Sequence, residues 1–252
     1  MPRLDVDLSG RLVVVTGAGR GLGRAIATAC AKSGASVAAL DSDNQLLEET
    51  VSELRDQGLE VNAYHCDIGE PSQVQTTFDQ LETRPWGVIN NAGLADGVGG
   101  LPFWEIDVED WQRILKVNLT GTWLVSKYAT ALMIRAREGR LINLASDAAL
   151  YGSPRLAHYI ASKGALIALT RGMARDLGHY EITVNAIAPG LTLGASTENI
   201  PEERHQLYAD NRALKRPQLP EDVIGITTFL LSEQSSYITG QTIVVDGGFV
   251  MH

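Results

Sequence analysis

Cysteine is scarce in this chain: Cys30 and Cys66 are the two among 252 residues. They form no CxxC pair and stand beside no histidine cluster, which argues against a disulfide scaffold or a zinc site. Each falls inside an apolar element, so both read as reduced core thiols. Long apolar runs are missing as well. None reaches the ~20 residues that a membrane-crossing helix needs. The opening MPRLDVDLSG has no apolar signal core. There is no excess of positive charge: the formal net charge is −9. That balance disfavours a nucleic-acid backbone or an anionic membrane as partner, although local backbone dipoles can still hold a small anion. No internal repeat, low-complexity tract or linker interrupts the chain. The expectation is a cytoplasmic protein with no metal, nucleic-acid or membrane partner.

What is present is alternation. Short apolar runs predict strands at 11–16, 36–41, 60–66, 88–91, 140–145, 181–187 and 241–245. Between them, helical spacing predicts helices at 21–32, 44–57, 71–82, 108–137, 153–178 and 220–231. The helix over 108–137 changes character near Thr120–Gly121. The helix over 153–178 has Ser153 as its N-cap and Pro154 in its first turn. Strands alternating with helices imply βαβ units, and near-continuous apolar strands imply a parallel sheet buried on both faces. The predicted fold is therefore α/β: one Rossmann-type doubly wound parallel sheet of about seven strands, with helices on both faces, in a single domain over 1–252. One stretch, 191–217 (LTLGASTENIPEERHQLYADNRALKRP), is too long for an ordinary connection and reads as a substrate lid. The segment 96–102 (DGVGGLP) reads as a second mobile rim.

The run TGAGRGLG, Thr16–Gly23, follows the first strand and opens the first helix. Glycines at 17, 21 and 23 suit a tight turn and close approach of a ligand to backbone. A helix N-terminus presents free N–H groups and partial positive charge, which can seat a pyrophosphate. The alternative is a glycine-rich turn with no ligand. Against it, Asp41 ends the second strand 18 residues after Gly23. That is close to the ~20-residue offset of a carboxylate that binds a ribose hydroxyl. Such a carboxylate repels a 2′-phosphate, so Asp41 points to NAD rather than NADP. Arg20 inside the loop is the contrary signal. Ser42 stands where a second cation could have been.

Tyr159 and Lys163 are four residues apart in HYIASKGALIAL and so share one helix face. Taken alone they are as well explained by a solvated pair.

The glycine spacing GxxxGxG, with the motifs that follow it, resembles the short-chain dehydrogenase/reductase family across essentially the whole chain. The resemblance rests on Thr16–Gly23, Asp67 after the third strand, NNAG ending at Gly93, and Asn118 in KVNLTG. It continues through Ser146 in NLASDAA, YIASK from Tyr159 to Lys163, NAIAPG ending at Gly190, and ITGQTIVVDGG. It implies a catalytic set of Asn118, Ser146, Tyr159 and Lys163. It also implies a dinucleotide site that includes Gly17, Arg20, Gly21, Leu22, Gly23, Asp41, Ser42, Asp67, Ile68, Asn91, Ala92, Gly93, Tyr159, Lys163, Pro189, Gly190 and Thr192. Physical chemistry agrees. A phenol with a pKa near 10 is a poor base at neutral pH. A nearby cation favours the phenolate and brings Tyr159 toward the working range. Ser146, at a strand end, can hold the substrate oxygen, although a plain turn residue would sit there too. Asn118 weakens a helix interior. In the family the matching Asn kinks the helix and holds a relay water, and a buried capping amide is the other reading. The family is commonly homotetrameric. The helices over 108–137 and 153–178 could pair between copies, and the tail 249–252 could reach a neighbour's pocket.

Two departures stand out. Five residues after Pro189, where family members often carry Thr or Ser to hold the nicotinamide amide, this chain has Gly194, and Thr192 or Ser196 must serve instead. Trp86 and Gly87 lead into the fourth strand after a shortened helix. The substrate slot is expected to involve Asp96, Phe103, Trp104, Asp147, Ala148, Leu150, Tyr151, His158 and the lid. Tyr151 and His158 read equally well as surface residues. The reaction expected is hydride transfer between NAD and a secondary alcohol or ketone of cyclic, aromatic or polyol type. The rivals are an NADPH-dependent carbonyl or ketoacyl reductase and a non-catalytic dinucleotide sensor. A sugar-nucleotide epimerase or dehydratase would need a longer chain.

Overall fold

The computed structural model describes residues 6–95, 97–194, 197 and 200–251. Asp96, Ser196 and His252, singled out above, lie outside the described residues.

The first strand, β1 (Leu12–Thr16), explains the architecture in five residues. Val13 and Val15 join an apolar cluster on one face of the sheet, and Leu12 and Val14 join another on the opposite face. Neither face can meet water, so helices must cover both. Val13, Val14 and Val15 are fully buried, each contributing about 1.5–3 kcal/mol of transfer free energy. The other strands are β2 (Ser36–Asp41), β3 (Val61–His65), β4 (Pro85–Asn90), β5 (Gly139–Leu144), β6 (Ile182–Pro189) and β7 (Thr242–Val245). All pair in parallel, in the order β3-β2-β1-β4-β5-β6-β7.

Helices α1 (Gly21–Lys32), α2 (Asn44–Asp56) and α9 (Glu221–Leu231) pack on one face. Helices α3 (Pro71–Asp79), α5 (Thr122–Ala136) and α7 (Ala157–Leu177) pack on the other. The remaining helices are α4 (Val108–Leu115), α6 (Ala148–Tyr151) and α8 (Glu202–Asn211). Strand order reverses between β1 and β4. A crevice opens there beyond the strand ends, which is where open α/β sheets bind ligands.

Four expectations are corrected. The helix over 108–137 is not continuous, because α4 passes into a π-helical segment, Lys116–Gly121, before α5. The helix expected from Ser153 begins at Ala157, with Leu156 as N-cap. Pro154 falls in the turn before it, where Arg155 has φ +58°. β4 starts three residues early, at Pro85. Its Trp86 is buried and donates to Leu231 O at 2.9 Å, and a Cβ on Gly87 would lie 2.4 Å from Leu231 Cδ2. The stretch 191–217 is not irregular throughout, since it holds α8.

Candidate active site

The phosphate end is built by β1, β4 and α1. Thr16 Oγ1, at the end of β1, accepts from the N–H groups of Asn91 and Ala92 at 3.0 Å each. Asn91 Nδ2 returns bonds to Thr16 O and Gly17 O at 3.0 and 3.1 Å. The two loops are thereby clamped side by side. Gly23 makes the clamp possible: a Cβ there would stand 1.9 Å from Gly17 O and 2.4 Å from Asn91 Nδ2. No described side chain caps α1, and its first turn holds no acid. Arg20, Gly21, Leu22 and Gly23 line the cleft, so the uncapped helix start there offers a donor set suited to a pyrophosphate. Asp41 lies at the mouth. Its Oδ2 accepts from Gly19 N–H at 2.8 Å and its Oδ1 from Asp43 N–H at 3.0 Å. The carboxylate is thus fixed in place, with lone pairs to spare for a ribose hydroxyl.

A cleft of about 610 Å³ runs from there along Ser42, Asp67, Ile68, Ala92 and Gly93 to Ser146, Tyr159 and Lys163. Its far wall is Pro189, Gly190, Thr192 and part of the segment before α8. The size and the donor set fit a dinucleotide. Thr192 Oγ1 donates to Gly190 O at 3.1 Å.

Asn118 does not line the cleft. It sits behind it, fully buried in the π-helical segment. Its Oδ1 accepts from Leu94 N–H at 2.7 Å, and its Nδ2 donates to Leu94 O and Ser162 Oγ at 3.2 Å each. Here it is an amide that caps the loop after β4. A Cβ on Gly93 would meet Asn118 Oδ1 at 3.3 Å and Lys163 Nζ at 3.4 Å, so the two groups flank one small residue. Gly121, in the same segment, lets it close on Ile68, whose Cδ1 would be 2.8 Å from a Cβ.

Lys163 is buried and donates to Leu144 O at 2.7 Å. Its Nζ is 5.8 Å from the centre of the Tyr159 ring. Burial pulls the Lys163 ammonium down to about 8. Burial pushes the Tyr159 phenol up to about 12, while the Ser146 hydroxyl beside it pulls the other way. The expected lowering of Tyr159 by Lys163 is therefore not a property of the chain alone. Ser146 Oγ accepts from Ala148 N–H at 3.2 Å and donates weakly to Asp147 Oδ1 at 3.4 Å.

Several substrate-slot expectations are corrected. Phe103 and Trp104 are about 70% exposed and pack edge to face with each other, away from the cleft. Leu150 is exposed and also off the cleft. His158 is buried beside a separate cavity of about 200 Å³. Tyr151 packs on Tyr208 and Phe249 at ring separations of 6.3 and 5.0 Å. Asp147 and Ala148 do line the cleft. Sequence reasoning missed Leu94, and it covered Arg204 and Tyr208 only as part of the lid, without singling them out. The heptapeptide RHQLYAD carried no periodic apolar signal that would have marked a helix.

A family model described as enoyl-(acyl carrier protein) reductase matches residues 17–250. 2-(S)-hydroxypropyl-CoM dehydrogenase 3 from Xanthobacter autotrophicus is 35% identical over 250 residues, covering 96% of this chain and 97% of that protein. A 3-oxoacyl-(acyl-carrier-protein) reductase from Thermotoga maritima is 33% identical over 248 residues, covering 97% and 99%. A crystal structure of a 3-oxoacyl-(acyl-carrier protein) reductase from Brucella melitensis superposes with a TM-score of 0.94 at 33% identity, covering 100% of this chain and 97% of that one. A structure of a 3-oxoacyl-(acyl-carrier protein) reductase from the same species holds NAD, whereas a gluconate 5-dehydrogenase from Burkholderia cenocepacia holds NADP and tartrate. The fold and site define a nicotinamide-dependent oxidoreductase. The chain belongs to the short-chain dehydrogenase/reductase family.

Proposed function

We propose that this enzyme interconverts a secondary alcohol and a ketone with NAD as the preferred coenzyme. The observation that carries the reading is the meeting of Ser146, Tyr159 and Lys163 at one end of the cleft whose other end holds the uncapped α1 and Asp41. A bound nicotinamide supplies the two-electron chemistry, as hydride donor or acceptor. Tyr159 exchanges the proton of the substrate oxygen. Ser146 orients that oxygen by a hydrogen bond. With its phenol at about 12, Tyr159 is protonated at neutral pH and so holds the proton that ketone reduction requires. In the alcohol-oxidising direction it needs a cation, and Lys163 is charged at neutral pH because its value is about 8. Asn118 holds the loop that carries Leu94 and so fixes the floor against Lys163. The rest of the dinucleotide is held by the glycine loop, Asp41, Asp67, Asn91 and the Pro189–Thr192 turn. The chain acts as one unit, with 191–217 as its substrate lid, and assembles as a homotetramer.

Asp41 supports NAD, since a fixed carboxylate repels a 2′-phosphate. The names of several relatives support a second reading, reduction of a 3-oxoacyl thioester. A panel of cyclic, aromatic and polyol alcohols, their ketones and a 3-oxoacyl thioester, each with NAD and NADP, separates the two by nicotinamide absorbance. Turnover confined to the thioester with NADPH would overturn the first reading.

A further inference from the structure

Helix α8 is held at its start by Arg204, whose guanidinium donates to Ser153 Oγ in the turn before α7. Tyr208 is its one buried residue, and ten residues are too few for a helix to persist alone. Where Tyr208 ends therefore matters. Its hydroxyl donates to both oxygens of Asp147, at 2.9 Å each. Its ring stacks on Phe249 at 4.3 Å, and the Arg212 guanidinium lies 4.7 Å from its centre. Asp147 is 1% exposed and is pinned by its own N–H to Pro189 O at 3.1 Å. Its Oδ1 also takes the Ser146 hydroxyl. A continuous line of contacts thus joins the lid helix to the serine at the chemical end of the cleft.

We infer that Asp147 and Tyr208 form a latch, in which Asp147 is a positioning residue that seats α8 on the cleft floor and fixes the Ser146 hydroxyl. The role for Ser146 rests on the catalytic reading above, but the latch itself can be observed without turnover. A carboxylate is a costly group to bury with no direct cation, and its presence here is explained by what it holds. The titratable and charged groups around it are Tyr208 and Arg212 from the α8 segment, Tyr151 from α6, Tyr159 from α7 and Asp246 after β7. Burial raises Asp147 to about 7, with Asp246 adding to the rise and Tyr208 and Arg212 opposing it. Undocking α8 hydrates the carboxyl and returns it toward its ordinary range. The docked lid therefore binds the proton more tightly than the open one. Docking is strongest where the open form is also protonated, and it weakens as pH rises through about 7.

The test is hydrogen exchange of the α8 amides in the full chain, corrected for intrinsic rates, at about pH 6 and about pH 8. Wild-type α8 should exchange several-fold faster at the higher pH. Tyr208→Phe keeps the ring and removes the donor; it should speed α8 exchange about tenfold while β5 and β6 stay protected. Asp147→Asn keeps an acceptor but cannot ionise, so it should abolish the pH step. With an alcohol or ketone that turns over, Tyr208→Phe should raise KM about tenfold and leave NAD affinity within about twofold. Unchanged α8 exchange in a folded Tyr208→Phe chain would overturn the latch, as would a pH step that survives Asp147→Asn. If the exchange results hold and no alcohol or ketone turns over, the latch stands and the catalytic reading is what fails.

Discussion

Lys163 and Tyr159 share a helix face without sharing a hydrogen bond: the lysine donates to Leu144 O, and its Nζ stands 5.8 Å from the tyrosine ring centre. Burial dominates both groups: it raises the phenol, against the pull of the Ser146 hydroxyl, and it lowers the ammonium. The lysine is held by backbone, so its position does not depend on the protonation of Tyr159.

Tyr159→Phe should lower kcat by at least about a thousandfold while leaving NAD binding nearly intact, because the proton-exchanging oxygen is gone and the glycine loop and Asp41 remain. Lys163→Ala should weaken NAD binding and move the alkaline rise of alcohol oxidation to higher pH, because the phenolate loses its cation. The check is a pH profile of kcat/KM beside a coenzyme titration for each variant. An unshifted profile in Lys163→Ala would reduce that residue to scaffolding.

The sheet was readable because its strands are apolar on both faces and its connections end in glycine or proline signals. Six of the seven strand positions need only small adjustments. Placement carried by contiguous motifs was readable too: Gly17, Arg20, Gly21, Leu22 and Gly23 line the same cleft as Tyr159 and Lys163. What escaped depends on contacts between distant segments. The π-helical turn at Lys116–Gly121 is fixed by Asn118 gripping Leu94 and by the close approach of Gly121 to Ile68. α8 has one buried residue and so leaves almost no periodic trace. The stacking of Phe249 on Tyr208 joins the chain's tail to α8 across some forty residues and likewise leaves no local signal.

Asp41→Ala should lower kcat/KM with NAD by about tenfold to a hundredfold, the worth of a hydrogen bond to a charged group. It should raise efficiency with NADP by relieving repulsion. Some of the loss reflects Gly19 N–H losing its acceptor, so Asp41→Asn is the control, since its amide can still accept from Gly19. Paired coenzyme kinetics decide the matter: an unchanged preference in both variants would remove Asp41 as the selector.

Gly23→Ala should cost about 1–3 kcal/mol of stability, because a methyl group cannot sit 1.9 Å from Gly17 O unless the loop moves. Moving that loop breaks the Asn91 bridge, so NAD affinity should fall more than stability does. Thermal unfolding and a coenzyme titration on the same sample separate the two effects.

Val108, Trp111 and Trp123 leave exposed apolar surface on α4 and α5. A homotetramer that pairs these helices would cover it. Light scattering at micromolar concentration should give four times the chain mass, and Trp123→Asp should shift it downward. A monomeric wild type would reject this assembly.

Lys163→Met should stabilise the fold at pH 7 while abolishing turnover. Burial lowers the lysine from 10.5 to about 8, so below that value the folded protein carries a charge it would rather lose. The difference amounts to about 3 kcal/mol at 1.36 kcal/mol per unit. Met fills similar volume without the charge. It leaves Leu144 O without its donor, which takes back about 1 kcal/mol. The sign follows from proton counting. Between about pH 8 and pH 10.5 the unfolded lysine is protonated and the folded one is not, so wild-type stability rises with pH across that window. The advantage of Met should therefore be full at pH 7 and nearly gone at about pH 10. Denaturant unfolding of both proteins at the two pH values measures it, and an advantage of equal size at both would show that Lys163 is not held against its own charge.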